Sequence, residues 1–208
     1  IPTKMPAHIT ANTGMDVMAH AVEAYVSTAA SDYTDPLAYK AIRLVFDNLS
    51  QAYEEAEDLK AREGMHNASA LAGMAFTNAS LGLIHSLAHK IGGEFGITHG
   101  LANAILMPYI VEYNRKSTHK VDELEEELGI DNLPDALREL NKQLNIPLTL
   151  KEVKEVEISE DKFKAVLDRM SKNAFEDPCT LTNPRQSSAE DVKKIYECAF
   201  YGTSGLTI

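Results

Sequence analysis

Asp16 and His20 stand four residues apart, and so do His85 and His89, with His99 following across a glycine-rich stretch. On a helix, a four-residue step projects two side chains from one face, so each pair can grip one ion with two donors. Imidazole nitrogen and carboxylate oxygen together suit zinc, iron, nickel or manganese. Most of these residues lie in apolar segments, where an unpaired buried charge is costly and a bound divalent cation removes the cost. A single His or Asp in a helix is more often a surface or hydrogen-bonded core residue than a ligand. Two same-face pairs plus a further His make a joint metal site, but spacing does not choose four ligands from the five candidates.

The elements that must carry these residues read as helices. Thr13 can cap a helix through roughly His20 to Val26. Asp35-Pro36 starts a second helix, on which Leu37, Ala41, Leu44, Val45, Leu49 and Ala52 mark one buried face. From Met65 to Ile91 small and apolar residues appear on every side, so this helix is expected to run through the middle of the domain. Gly92-Gly93 and Gly96 should break it, and Gly100 should open another apolar helix through Leu106 and Ile110.

The rest of the chain is more charged. Asn132 with Asp135, and Ser188 with Asp191, have the spacing of capping boxes, and Ser159 begins a helix containing Phe163, Val166, Leu167 and Met170. Val153 and Val156 could belong to a short extended piece, but no alternating strand pattern persists. The acidic runs Glu54–Asp58 and Asp122–Glu127 read as solvated helix faces. The expected fold class is all-α, one domain over residues 1–208, without internal repeats.

Composition narrows the partners. With 208 residues, 44% hydrophobic and 25% charged, the chain can bury a core. Its formal net charge of -11 has the wrong sign for nucleic acid or an anionic membrane surface. Two cysteines, Cys179 and Cys198, make no disulfide framework. No run reaches the roughly 20 apolar residues of a membrane span, and Ile1–Pro6 lacks a signal-peptide pattern, so a cytoplasmic location is expected.

Three stretches carry a family resemblance. Thr10–Tyr25, with Gly14, Asp16, His20 and Glu23, resembles a signature of the iron-containing (group III) alcohol dehydrogenases. Gly82 through His85, His89, His99-Gly100-Leu-Ala-Asn103-Ala104 to Pro108 resembles the family's second signature, and Phe175-Glu-Asp-Pro-Cys179-Thr-Leu-Thr-Asn183-Pro184-Arg185 its C-terminal motif. The three occur in family order. The likeness extends to bacterial alcohol dehydrogenases, including the alcohol half of bifunctional aldehyde–alcohol dehydrogenases.

The resemblance implies that Asp16, His20, His85 and His99 hold the metal, iron ahead of zinc. It implies that His89 lies beside the metal, moves protons and helps place the cofactor, and that Cys179 lines the substrate and nicotinamide cleft, although a plain buried thiol suits Cys179 as well. Asn183-Pro184-Arg185 is expected to be structural, with the Arg tying the last helices together, and His8, His66 and His119 to be surface residues. The chain would be the helical metal-binding domain of a dehydroquinate-synthase-like two-domain enzyme. No G-x-G-x-x-G follows a strand in this sequence, so the family's N-terminal α/β nucleotide domain is expected to be absent from this chain.

The implied reaction interconverts a small primary alcohol and its aldehyde, with hydride passing to or from NAD or NADP. The chain alone would be inactive and would need its own N-terminal nucleotide-binding domain; a homo-oligomer is compatible. A non-catalytic helical metal-binding or assembly module is the alternative. A metal-dependent hydrolase, with Glu23 as its base, is a third reading, weakened because Glu23 lies about 60° around the helix from His20.

Overall fold

The computed structural model describes residues 3–203; Ile1 and Pro2 of the N-terminal stretch, and residues 204–208, lie outside it. Nine α-helices follow in order among the described residues, with no strand. They are α1 (Ala7–Val26), α2 (Asp35–Glu54), α3 (Leu59–Ala79), α4 (Leu83–Phe95), α5 (His99–Asn114), α6 (Lys120–Leu128), α7 (Leu133–Gln143), α8 (Glu160–Phe175) and α9 (Ala189–Tyr201). Short 3-10 turns occupy Arg115–Ser117, Leu150–Glu152 and Pro178–Thr182.

Helix α5 is the axis of the molecule. Every residue from Gly100 to Asn114 is buried except Glu112, and α1, α4, α7 and α9 pack around it. Its apolar residues leave no polar face to turn to solvent, which is why burial on all sides is its stable environment. Pro108 sits inside this helix and has no N–H to give the carbonyl of Ala104. Asn141 on α7 supplies the missing donor, its amide reaching Ala104 O at 2.8 Å. An unmet buried carbonyl would cost about 1–3 kcal/mol, so this side chain links a local defect to the packing of α7 on α5.

The stretch expected to form one central helix, Met65–Ile91, is instead two helices bent by 104°. Helix α3 buries one seam of small residues, Ala68, Ala72, Ala75 and Ala79, while Met74 on its far side is exposed. Close packing against α2 and α1 needs small side chains, and that need, rather than all-round burial, explains the alanines. Ser80 then takes φ 64°, a backbone region that non-glycine residues rarely adopt, and the chain turns.

Three further expectations change. Helix α1 starts at Ala7, after Pro6, so Thr13 lies inside it and its hydroxyl donates to Ile9 O at 2.7 Å instead of capping. Gly92 and Gly93 are helical; α4 ends at Gly96, whose φ of 77° suits a residue without Cβ. Val153 is extended, with φ -61° and ψ 125°, and, as the missing alternation implies, no strand forms there. The acidic run on α6 is not wholly solvated either, because Glu125 is buried, paired with Arg115 and bonded to the Leu133 amide.

The starts at Asp35, Ser159 and Ser188 match the sequence reading, Ser188 and Asp191 forming a complete capping box. Asn132 accepts from the Asp135 amide. No single helix among the described residues is long and apolar enough to cross a membrane.

Candidate metal centre

Helices α1, α4 and α5 meet where their potential ligands lie. Asp16 and His20 come from the middle of α1, His85 from the first turn of α4, and His99 is the first residue of α5. The approach of α5 to α1 depends on Gly100: a Cβ there would lie 2.0 Å from the carbonyl oxygen of Asn12. Glycine thus allows the contact that sets His99 against Asp16, with Nε2 3.2 Å from Oδ1.

Donor atoms of Asp16, His20 and His85 lie within 4.8 Å of one another. His20 Nδ1 donates to the Asp16 backbone carbonyl at 2.7 Å. His85 Nδ1 donates to Glu23 Oε2, also at 2.7 Å. Each bond fixes the tautomer in which Nε2 keeps its lone pair, the state a metal ligand requires. The His20 and His85 ring centroids are 4.3 Å apart, and those of His85 and His99 5.2 Å.

Asn103, one turn into α5, shows where these lone pairs point. Its amide nitrogen lies 2.6 Å from Asp16 Oδ1, 3.1 Å from His99 Nε2 and 3.4 Å from His85 Nε2. Three acceptors from three helices therefore converge on one electron-poor group, while the buried Asn103 Oδ1 has no partner. One carboxylate and two imidazoles surround that point, His20 adds a third imidazole whose donor atom lies within 4.8 Å of those of Asp16 and His85, and such a set fits a first-row divalent cation.

The electrostatics of Asp16 and His20 agree. Burial pushes the Asp16 carboxyl up, but His99, His20 and Asn103 outweigh it and hold it below the ordinary range, hence ionised. Burial, helped by His85, lowers His20 and favours neutral imidazole. His99 runs the other way: its bond to Asp16 raises it despite partial burial, favouring a proton on Nε2 that a bound cation would have to replace.

Glu23 is 2% exposed and does two jobs. One oxygen orients His85; the other accepts from the Ile84 amide at 2.5 Å. Helix α4 has no side-chain cap of its own at Gly82, so Glu23 and Asn183, which accepts from the Leu83 amide at 3.3 Å, serve its free N–H groups. This engagement disfavours Glu23 as the mobile base of a hydrolase.

His89 stands on α4 one turn beyond His85, its ring stacked on that of His99 with centroids 5.4 Å apart. Its Nδ1 faces Asp177 Oδ2 at 3.3 Å, and Lys90 Nζ reaches the same oxygen at 2.6 Å. Cys179 lies beside them, partly buried, and its amide donates to Asp177 Oδ1 at 3.0 Å. Burial, with Asp177 adding to it, pushes the Cys179 thiol up to about 12, so at neutral pH it is a thiol and not a nucleophile.

The C-terminal motif also has a structural part. Asn183 and Asn114 exchange amide hydrogen bonds of 2.8 and 3.0 Å. Arg185 lies 3.9 Å from the Tyr113 ring centre and donates to the Tyr113 carbonyl at 3.0 Å. The arginine thus ties the motif to the end of α5. His8, His66 and His119 are exposed, as expected. The sequence reading overlooked Asn103 and Asp177, and saw Glu23 only as a possible base. Asp177-Pro178 carried a turn signal, but nothing local tied it to His89.

Comparison with known proteins agrees with this geometry. The family model for the Fe-containing alcohol dehydrogenase family, C-terminal, matches residues 10–200. The chain is 47% identical over 210 residues to an NADPH-dependent butanol dehydrogenase of Clostridium saccharobutylicum, covering 96% of this chain and 53% of that protein. It is 39% identical over 222 residues to an aldehyde-alcohol dehydrogenase of Streptococcus pneumoniae, covering 95% of this chain and 25% of the relative. The solved structure of an iron-containing alcohol dehydrogenase from Thermococcus thioreducens superposes with a TM-score of 0.89 at 33% identity, over 97% of this chain and 53% of that one. The chain thus spans about half the length, or less, of the relatives it matches. With its all-helical fold and the Asp16–His20–His85 cluster beside His99, the chain belongs to the Fe-containing alcohol dehydrogenase family, as its C-terminal helical part.

Proposed function

We propose that this chain is the metal-binding helical domain of a two-domain, NAD(P)-dependent alcohol dehydrogenase acting on small primary alcohols and their aldehydes. The observation that carries the reading is the convergence of Asp16, His85 and His99 on the Asn103 amide, with the His20 and His85 Nδ1 atoms already tied off. Asp16, His20, His85 and His99 would hold a divalent metal, iron in preference to zinc. When bound, such a metal supplies Lewis acidity toward an alcohol or carbonyl oxygen, and a nicotinamide cofactor supplies the hydride acceptor or donor.

The chain's own residues have distinct tasks. Glu23 holds His85 in place, and the Asp16 carbonyl does the same for His20. His89 is in reach of the cluster, but its donor atoms group with Asp177 and Cys179 and not with Asp16, His20 and His85; with Nδ1 held by Asp177, Nε2 is left to move a proton and help place the cofactor. Cys179, a neutral thiol next to His89, lines the cleft. An upstream nucleotide-binding domain would provide the opposite wall, and a cytoplasmic setting fits this chemistry.

The test uses the full-length enzyme. His89→Ala should keep its metal while alcohol oxidation falls roughly 10²–10⁴-fold, the range for lost acid–base help. Metal lost in step with activity would make His89 a ligand and defeat the assignment. The 208-residue chain alone should show no alcohol oxidation and scarcely bind NADH; micromolar affinity in calorimetry would contradict that division of labour.

A further inference from the structure

His89 is anchored from outside its own helix, and we infer that Asp177 is its positioning residue, holding the ring by Nδ1 so that Nε2 is the nitrogen left to exchange a proton. The inference deepens the proposed function and rests on its reading of His89 as a group beside the metal rather than a ligand.

The geometry assigns each oxygen of Asp177 a task. Oδ1 accepts the Cys179 amide at 3.0 Å and so starts the Pro178–Thr182 turn. Oδ2 faces outward from that turn to His89 Nδ1 and Lys90 Nζ. A carboxylate only accepts, so the imidazole must carry its proton on Nδ1 to bond here. The anchor is buried and the ring is not: the side chains are 7% and 39% exposed. A partly exposed His gains orientation from such a hold.

The anchor is itself held in place. Thr182 Oγ1 donates to Leu81 O at 2.6 Å, the Thr28 amide donates to Thr182 O at 2.9 Å, and the Asn183–Asn114 pair locks the turn's end to α5. The turn that carries Asp177 is thereby fastened to the end of α5 and to the loops that follow α1 and precede α4. Burial pushes Asp177 up, but Lys90 and the Cys179 amide more than reverse this and hold it at about 2, so the acceptor is charged at any working pH.

A second metal site is the rival for this cluster, since donor atoms of His89, Asp177 and Cys179 lie within 4.8 Å of one another. Lys90 argues against it, because its ammonium already occupies the cation position at Asp177 Oδ2. The protonated Cys179 thiol is also a poor ligand.

The test is a double-mutant cycle in the full-length, metal-loaded enzyme, with metal content measured on every variant. Asp177→Asn should keep the metal and lower kcat on the order of 10–100-fold, the usual effect of removing a partner that orients an active group. Asp177→Glu should recover part of the loss. Combined with His89→Ala, Asp177→Asn should add almost nothing, because its effect passes through the imidazole. Losses that multiply in the double variant would mean that Asp177 acts independently of His89 and would overturn the inference. Full activity in His89→Ala, or metal lost with it, would defeat the reading of His89 itself, a result recognisable before Asp177 is touched. Nitrogen NMR of the wild-type His89 ring needs no variant at all: the Nδ1-protonated tautomer is expected, and the Nε2-protonated one contradicts the proposal.

Discussion

Helices α7, α8 and α9 begin differently from α1, α2, α4 and α5. In the later group the side chains of Asn132, Ser159 and Ser188 each accept from the backbone amide three residues on, so each start is decided locally. In the earlier group Pro6, Thr34, Gly82 and Thr98 make no such bond. At α4 and α5 the start is set by contact with other elements: Glu23 and Asn183 serve the first amides of α4, and the first turn of α5 packs on Asn12. Two of the four candidate ligands lie in that second kind of region: His85 falls in the first turn of α4 and His99 opens α5, while Asp16 and His20 face them from the middle of α1. The difference teaches that, in this molecule, helix ends fixed by tertiary contacts are also the places where side chains from different helices are brought to one point.

Variants can break this contrast, beginning with the largest effect. Glu23→Ala removes the partner of His85 and the acceptor of the Ile84 amide together. It should lower stability by about 3 kcal/mol or more in urea unfolding and weaken metal retention. A loss no greater than that of a surface substitution would show that α4 does not depend on Glu23.

Gly100→Ala forces a Cβ against the Asn12 carbonyl. It should cost about 1–3 kcal/mol and separate His99 from Asp16, so metal affinity should fall with stability. Unchanged metal affinity in a destabilised protein would detach His99 from the centre.

Ser188→Ala, in the locally capped region, should cost about 1 kcal/mol and leave metal content untouched. Ser80→Gly should gain about 1 kcal/mol by relieving the left-handed backbone at the α3–α4 corner. A thermal midpoint that falls instead would assign the Ser80 side chain a role that its contacts do not reveal.

Asp177 sharpens the comparison through pH. Its folded value of about 2 lies below its ordinary 3.8, so its contribution is fully present above the unfolded value and fades as pH falls through the folded one. The stability gap between wild type and Asp177→Asn should therefore be steady near neutrality and close between about pH 4 and pH 2. A gap that stays constant through that window would mean the carboxylate charge contributes nothing to the fold.

The same contrast explains what could be read in advance. The pairs Asp16–His20 and His85–His89 were legible because helical periodicity alone puts them on common faces, and Ser159 and Ser188 because capping is local. Thr13 misled because a Thr within a helix can bond its own preceding turn instead of capping. Gly92 and Gly93 looked like a break, yet the positive φ falls only at Gly96. The alanines of α3 resembled a central helix, although small residues also mark a close one-sided contact. Glu23 and Asp177 reach their imidazole partners only through the fold, across 62 and 88 residues, and Asn103 meets His99 within one helical turn but His85 across 18 residues.

Metal content of the purified full-length protein and its variants bears most directly on the account. Elemental analysis should find about one divalent ion per chain in wild type, and most of it lost in Asp16→Ala and His85→Ala, because each deletes a coordination bond and leaves buried donors without their partner. His66→Ala, an exposed histidine on α3, should retain it. Full metal in Asp16→Ala or His85→Ala, with loss in His66→Ala, would contradict the assignment of the centre to α1, α4 and α5.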